Sequence, residues 1–328
     1  LAGRASELEE PHSASETLRL SSLYTGTQLS VHDVRCRPHD FEPGAEECSR
    51  LHQIVFPRRG VFERVLRGER LLADPTRVLF FARDEPYRVA HPAGCGDDCT
   101  AFSFNDALLR EALAQHEPAL AARATVSFRF AHALSDAGLT LAHEQLRAAL
   151  HQPGPQLAVE EAAFTLLSAA LACAYRGRAG SLSGRKPNLE TQRAQREKAR
   201  ETALFLATHF SEEQSLDEIG RAVHCSSFHL ARLFRRELGL TLHQYRHTLR
   251  LREALRRVAD GETNLTQLAL ALGFASHSHL TDSFRRAFGQ PPRSLRSELA
   301  LQRDGLAGGA ARLDELSRNL QVGPRLNP

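Results

Sequence analysis

Ser226-x-x-His229-Leu230-x-x-x-Phe234-Arg235-Arg236-x-x-Gly239 recurs as Ser276-x-x-His279-Leu280-x-x-x-Phe284-Arg285-Arg286-x-x-Gly289, with an offset of 50 at all seven matched positions. Just upstream, Leu216-x-x-Ile219-x-x-Ala222-Val223 corresponds to Leu265-x-x-Leu268-x-x-Ala271-Leu272 at an offset of 49, so the intervening turn gains one residue in the second copy. Each copy reads as helix, turn, helix. Ser215 with Glu218 has the spacing of a capping box, and Asn264 with Gln267 is a similar start in the second copy. Ser226 and Ser276 stand where a second helix must begin and offer side-chain oxygens to its free amides. Leu230, Leu233 and Phe234 share one helical face, as do Leu280 and Phe284, so that face is the expected core. Gly239 and Gly289 fall where a left-handed residue ends a helix. Between the copies Leu242, Tyr245, Leu249, Leu255 and Val258 trace a long amphipathic helix, and Pro291-Pro292 starts a closing helix at Arg293.

Charge is concentrated on the same segment. Residues 219–296 hold 13 arginines against five acids, a balance of +8; with +3 on the whole chain, −5 falls on the rest. A basic module joined to an acidic remainder fits polyanion binding by one part of the chain. The bland alternative is a solvated arginine-rich surface. At 328 residues, with 42% hydrophobic and 25% charged residues, the chain has room for two folded units. No apolar run is expected to reach the ~18 residues that span a bilayer, and the acidic start Ser6-Glu7-Leu8-Glu9-Glu10 does not resemble a secretory signal. A cytoplasmic location is expected.

Residues 30–104 read as short β runs, for example Leu51 to Phe56, Val61 to Leu66 and Arg77 to Phe81. Pro57-Arg58-Arg59-Gly60, Arg67-Gly68-Glu69, Asp74-Pro75 and Pro92-Ala93-Gly94 are expected to interrupt strands and turn the chain. Helical spacing follows over 106–123, 139–151 and 156–175, and these helices are expected to pack on the β unit or on a second subunit. A glycine-, serine- and arginine-rich stretch from Arg176 to Pro187 has linker composition. The expected class is α+β, with a β-barrel or sandwich and packed helices first and an all-α domain of two helix-turn-helix motifs second. Boundaries are set at 1–176, 177–196 (linker), 197–298 and 299–328 (tail). A short leucine-bearing helix is a candidate at 310–320, without an assigned role.

Residues 199–296 resemble the DNA-binding domain of the AraC/XylS regulators. In the second copy the family signature is matched by Ala269, Gly273-Phe274, Ser278, Phe284, Phe288-Gly289, Pro292 and Arg296. A looser counterpart runs through Ser215-Leu216, Ser226, Leu230, Arg232, Phe234, Gly239, Tyr245, Arg250 and Ala254. The resemblance implies a transcriptional regulator, with promoter DNA and RNA polymerase as partners. It also implies an N-terminal cupin-like domain that binds an effector or mediates homodimerisation. A major groove admits one α-helix, and two recognition helices on one scaffold suit successive grooves. With the apolar face excluded, Phe228, Ala231 and Arg232 are the candidate base readers of the first unit; His277, Ser278, Thr281 and Asp282 are those of the second. Arg232 is the preferred base contact, because a guanidinium can bond guanine O6 and N7 together. Ser226, Arg235, Arg236, Ser276, Arg285 and Arg286 are candidate phosphate contacts. His229 and His279 are expected to pack or cap near the turn. Asp282 departs from the family, many of whose members carry arginine there, so the first unit is expected to contribute more affinity.

An enzyme of the cupin type is the rival class. No histidine of residues 1–195 has the His-x-His or His-x-carboxylate spacing that sets two ligands on one strand face. Gly-x-Ser-x-Gly, Walker and Gly-x-Gly-x-x-Gly motifs are absent, so neither catalysis nor a cofactor is expected. Six scattered cysteines are too few for a disulfide scaffold. Cys36, His39, Cys48, His52, His91, Cys95 and Cys99 remain as a thiol and imidazole group, within which His91, Cys95 and Cys99 are the minor metal candidates. Their alternative is buried or incidental thiols. A metal- or thiol-responsive regulator, or a bifunctional metal protein anchored to DNA, is the runner-up reading.

Overall fold

A computed structural model describes residues 18–37, 41–151, 155–179 and 189–303. The elements run β1 (Leu18–Thr25), β2 (Leu29–Cys36), β3 (His52–Gly60), β4 (Phe62–Leu66), β5 (Glu69–Ala73), β6 (Arg77–Phe81), β7 (Arg88–Ala90) and β8 (Asp97–Phe104). They continue with α1 (Asp106–Ala114), α2 (Pro118–Ala121), β9 (His132–Leu134), α3 (Ala137–Ala149) and α4 (Gln156–Ala179). The helical half holds α5 (Leu189–His209), α6 (Leu216–Ala222), α7 (Ser227–Leu238), α8 (Leu242–Ala259), α9 (Leu265–Ala271), α10 (His277–Phe288) and α11 (Pro292–Arg303).

Side chains alternate across a strand, so a sheet buried on both faces must be apolar at nearly every position. The six-stranded antiparallel sheet, ordered β1-β2-β8-β3-β6-β9, meets that condition at its centre. Ile54, Phe56, Val78, Phe80, Phe102 and Phe104 face a core closed by α1, α3 and α4. Val55, Leu79, Phe81, Cys99 and Ala101 face the opposite way, toward the three-stranded sheet β5-β4-β7, where Phe62 and Ala73 complete a second core.

Several expectations need correction. Pro57 to Gly60 does not turn the chain; it lies within β3, where the register shifts between Pro57 and Arg59, and the bulge accommodates the proline in an otherwise paired strand. The helix expected over 106–123 breaks before Pro118, whose ring is tolerated at the first position of α2. β9 pairs with β6 and carries too few residues to display an alternation. α4 reaches Ala179 and α5 begins at Leu189, so the segment expected to be linker is helical at both ends. By length and a mean hydropathy of 1.6, Gln156–Gly177 is apolar enough to cross a membrane, contrary to expectation. Its Ala163, Leu166, Leu167, Ala170 and Leu171 are buried in the first core, which accounts for the composition. The candidate helix at 310–320, most of the expected tail and His39 lie outside the described residues.

Candidate nucleic-acid interface

The two repeats build two helix pairs, α6–α7 and α9–α10, spaced by α8. Both halves of the Ser215–Glu218 capping box form, and Asn264 accepts from the Gln267 amide. Ser276 caps α10 by accepting from the His279 amide at 3.1 Å. Ser226 makes no such bond; instead the hydroxyl of Ser227 is hydrogen-bonded to Asp217 of α6. Gly239 and Gly289 both end their helices in the left-handed region, at φ 74° and 79°. A second capping box, Thr241 with Gln244, opens α8 and escaped the sequence reading although its Thr-x-x-Gln spacing was visible.

Arg250 of α8 fixes one helix pair relative to the other. Its Nε donates to the Phe210 carbonyl at 2.7 Å and its Nη1 to the Gly273 carbonyl at 2.5 Å, while Nη2 reaches the Glu212 carbonyl at 3.0 Å. Gly273 has φ 74°, and a Cβ there would stand 2.4 Å from the Ser211 carbonyl oxygen. Only glycine combines that conformation with so close an approach. Leu242, Tyr245, Leu249, Leu255 and Val258 are all buried on α8, as expected.

On α7 the buried face is Leu230, Leu233 and Phe234. The opposite face carries Phe228, which is 85% exposed, with Arg232 and Arg235, which have no hydrogen bond or ion pair among the described residues. Ala231 is half-buried against the core beneath and does not stand out from the helix as expected. Arg236 stays exposed, but its head is engaged by Gln195 of α5 at 2.6 Å and by Glu237 at 3.0 Å. On α10, His277, Ser278 and Asp282 are exposed, but the Thr281 hydroxyl is buried with no hydrogen-bond partner among the described residues. Asp282 pairs with Arg285 at 3.1 Å, and Arg286 turns back to the Asp282 carbonyl and Ser283. The expected base and phosphate residues therefore divide: the first unit presents unengaged arginines, and the second largely neutralises its own.

A helix-turn-helix domain family matches residues 219–298. The chain is 33% identical over 94 residues to the HTH-type transcriptional activator RhaS of Pectobacterium carotovorum subsp. carotovorum (strain PC1), and 32% identical over 92 residues to RhaS of Escherichia coli (strain SE11). The signature residues from Ala269 to Arg296 all fall in the matched region. The helical half thus carries a helix-turn-helix domain similar to that of these activators, in keeping with the AraC/XylS resemblance. The aligned stretch covers 29% and 28% of this chain, and the chain spans about a third of the length of these relatives, 34% and 33%. Solved structures similar to it include a transcriptional regulator with an AraC-type DNA-binding domain from Chromobacterium violaceum. That likeness has 30% identity, covers 34% of this chain and 97% of that one, and has a TM-score of 0.31. Another is ToxT K231A from Vibrio cholerae, with 10% identity, coverage of 84% and 98%, and a TM-score of 0.36.

The helical domain is docked on the sheet-rich half at two places. Val61, Leu72 and half-buried Ala93 join Ala203, Leu206, Ile219 and Leu230 in the core of the first unit. There Tyr245, fully buried, donates from its hydroxyl to Asp74 Oδ2 at 2.6 Å, while the other Asp74 oxygen accepts from the Thr76 amide at 2.7 Å. Burial and the Asp74 charge push the Tyr245 phenol well up, which keeps it a donor. Ala148 and half-buried Ala137 and Leu141 join the core of the second unit, bordered by Arg147–Asp260 at 3.0 Å and Gln145–Glu298 at 2.9 Å. Arg252 donates to the Ser135 carbonyl at 2.7 Å, and its complete desolvation lowers it to about 10. Tyr245 and Asp74 are 171 positions apart, so the sequence carried no signal of their pairing.

The minor metal candidates separate. Cys95 is exposed, its thiol turned to the Gly96 carbonyl. His91 and Cys99 both contact Asp97, the imidazole Nε2 at 2.7 Å from Oδ1 and the buried thiol 3.1 Å from Oδ2. Burial opposes charge on His91, but the hydrogen bonds with Asp97 and Cys36 outweigh it and raise the imidazole to about 9. Cys48 is exposed, and buried His52 accepts from the Arg83 amide at 3.2 Å.

Proposed function

We propose that this chain is a sequence-specific DNA-binding transcriptional regulator that sets α7 and α10 into successive major grooves of one DNA face. The carrying observation is the outward face of α7, where a phenylalanine stands 85% exposed beside two unengaged arginines. An exposed aromatic ring gains nothing from water, whereas a thymine methyl in a groove gives it an apolar surface to cover. Arg232 reads a base edge, Arg235 and the free Ser226 hydroxyl hold phosphate, and α8 with Arg250 keeps the second reading helix in register, about one helical turn of ~34 Å away. On α10, His277 and Ser278 read, with Asp282 restricted to accepting from a cytosine amine.

The same proposal divides the chain into a sheet-rich domain and an AraC/XylS-type domain, with the boundary between α4 and α5. A small effector, a homodimer and contact with RNA polymerase belong to it on the family resemblance alone. A cavity of about 20 Å³ between the domains, bordered by Arg58, Arg77, His143, Glu144 and Arg252, has room for one water. An effector of ordinary size could enter there only by opening it. Selection of bound fragments from random duplex DNA, followed by binding at rising salt, tests the reading. One recovered motif with two half-sites a helical turn apart is expected, and failure of the folded chain to retain any duplex at low ionic strength would overturn it.

A further inference from the structure

Away from the reading helices, three side chains of different chemistry meet where β2, β7 and β8 end together. Cys36 closes β2, Asp97 opens β8, and His91 directly follows β7. One ligating atom from each lies within 4.8 Å of the other two. Strand register brings about this meeting, because Cys36 is the direct partner of Asp97 across β2 and β8, and Gly60 of β3 is its partner on the other side. The backbones are pressed together there. A Cβ on Gly96, at φ 66°, would stand 2.3 Å from the Cys36 carbonyl oxygen, and one on Gly60 would stand 2.0 Å from the Gly96 carbonyl oxygen. His91 and Asp97 are buried, at 6% and 5% exposure, while Cys36 is half-buried and leaves a way in from solvent. The Cys99 thiol, on the far oxygen of Asp97, orients that carboxylate from behind.

A thiol, an imidazole and a carboxylate are the donor types that zinc-class ions take, and three protein ligands leave the fourth tetrahedral position open. The thiolate disfavours magnesium and calcium, which take oxygen donors. We propose that Cys36, His91 and Asp97 form a binding site for one divalent transition-metal ion of the zinc class, with Cys99 as a positioning residue behind Asp97. Coordination passes the Cys36 thiol proton and one proton of the His91 imidazolium to solvent and involves no change of oxidation state. His91 and Asp97 are the two ends of the loop that carries Ala93 against the first-unit core, so an ion joining them would staple the loop on which that unit rests. The site stands whatever the helical domain binds.

Cobalt(II) alone is the probe. The full chain, purified reduced and stripped by a chelator, is expected to take up one equivalent, with visible absorption of a tetrahedral site and a near-ultraviolet thiolate-to-cobalt band, and to release it to zinc(II). Cys36→Ser should abolish the thiolate band and weaken affinity at least about tenfold, and His91→Gln should weaken it similarly. Cys95→Ser should change neither, since that thiol points elsewhere. Far-ultraviolet circular dichroism establishes that each variant is folded, and if His91→Gln is not, Cys36→Ser decides. No stoichiometric uptake by the folded wild-type chain would leave a hydrogen-bonded cluster and overturn the proposal. So would a thiolate band that survives Cys36→Ser or disappears in Cys95→Ser.

Discussion

The two helix-turn-helix units start from nearly the same residues and end with different outward faces. What they share builds them: the buried Leu230 and Phe234 against Leu280 and Phe284, and the left-handed Gly239 against Gly289. Their differences lie where each meets something else. Arg232 is unengaged, whereas its counterpart Asp282 binds the next arginine of its own helix. The first unit rests on the β4–β5 hairpin and the loop after β7; the second rests on α3. The two units share a scaffold and differ in the surfaces they present.

The largest test addresses the shared scaffold. Phe234→Ala and Phe284→Ala each empty a fully buried ring site and should cost about 3–5 kcal/mol of stability. Because Arg250 and α8 join the pairs, calorimetry should record one transition in either variant. A second transition in one of them would mean that the units are independent. Next in size are the docking contacts. Tyr245→Phe leaves buried Asp74 Oδ2 without its donor and should cost about 1–3 kcal/mol, whereas Gln145→Ala, at a half-buried contact of the second unit, should cost under about 1 kcal/mol. Equal losses on urea unfolding would erase the asymmetry between the two docking surfaces.

How much of this was legible follows from the same asymmetry. Ser215, Gly239, Gly289 and the apolar face of each second helix act within a few residues of themselves, so their roles could be read from spacing. The β runs were visible because a doubly buried sheet is apolar throughout, but Pro57 was misread as a turn, since a bulge inside a paired strand leaves the same local signal. Tyr245–Asp74 and the Cys36–Asp97 register depend on which distant strands and helices adjoin, and no local pattern encodes that. Helical phase and the family resemblance set Ala231 outward, but it packs half-buried on the core; Arg236, a candidate phosphate contact, is exposed as that role needs but engaged by Gln195, on a helix expected to be linker.

On DNA, Arg232→Ala should remove about 1–3 kcal/mol of discrimination at one base position. Arg235→Ala should weaken all sequences alike and reduce the salt slope by about 0.9. Asp282→Asn frees Arg285 and should instead strengthen binding modestly and steepen that slope by up to about the same amount. Uniform weakening by Arg232→Ala, or no gain from Asp282→Asn, would remove the proposed difference between the reading faces.

The smallest effect concerns two histidines at matched positions. Both stand exposed, but His279 also stacks on His247 of α8 at 6.5 Å and lies edge-on to Phe274 at 5.3 Å, whereas His229 has no ring contact among the described residues. Burial, then the neighbouring His243, His279, Arg250 and Arg286, lower the His247 imidazole below its ordinary range. The folded chain thus holds fewer protons at this site than the unfolded chain, so its stabilising contribution is complete above about pH 6.5 and falls away as the pH drops through the lowered folded value. Amide exchange between about pH 7.5 and about pH 5.5 should loosen α10 more than α7, once corrected for intrinsic rates, and His247→Gln should remove that part of the difference. If α7 loosened equally, or if the variant kept the full pH response, the sensitivity would belong to the whole domain and the histidine contact would not distinguish the second unit from the first.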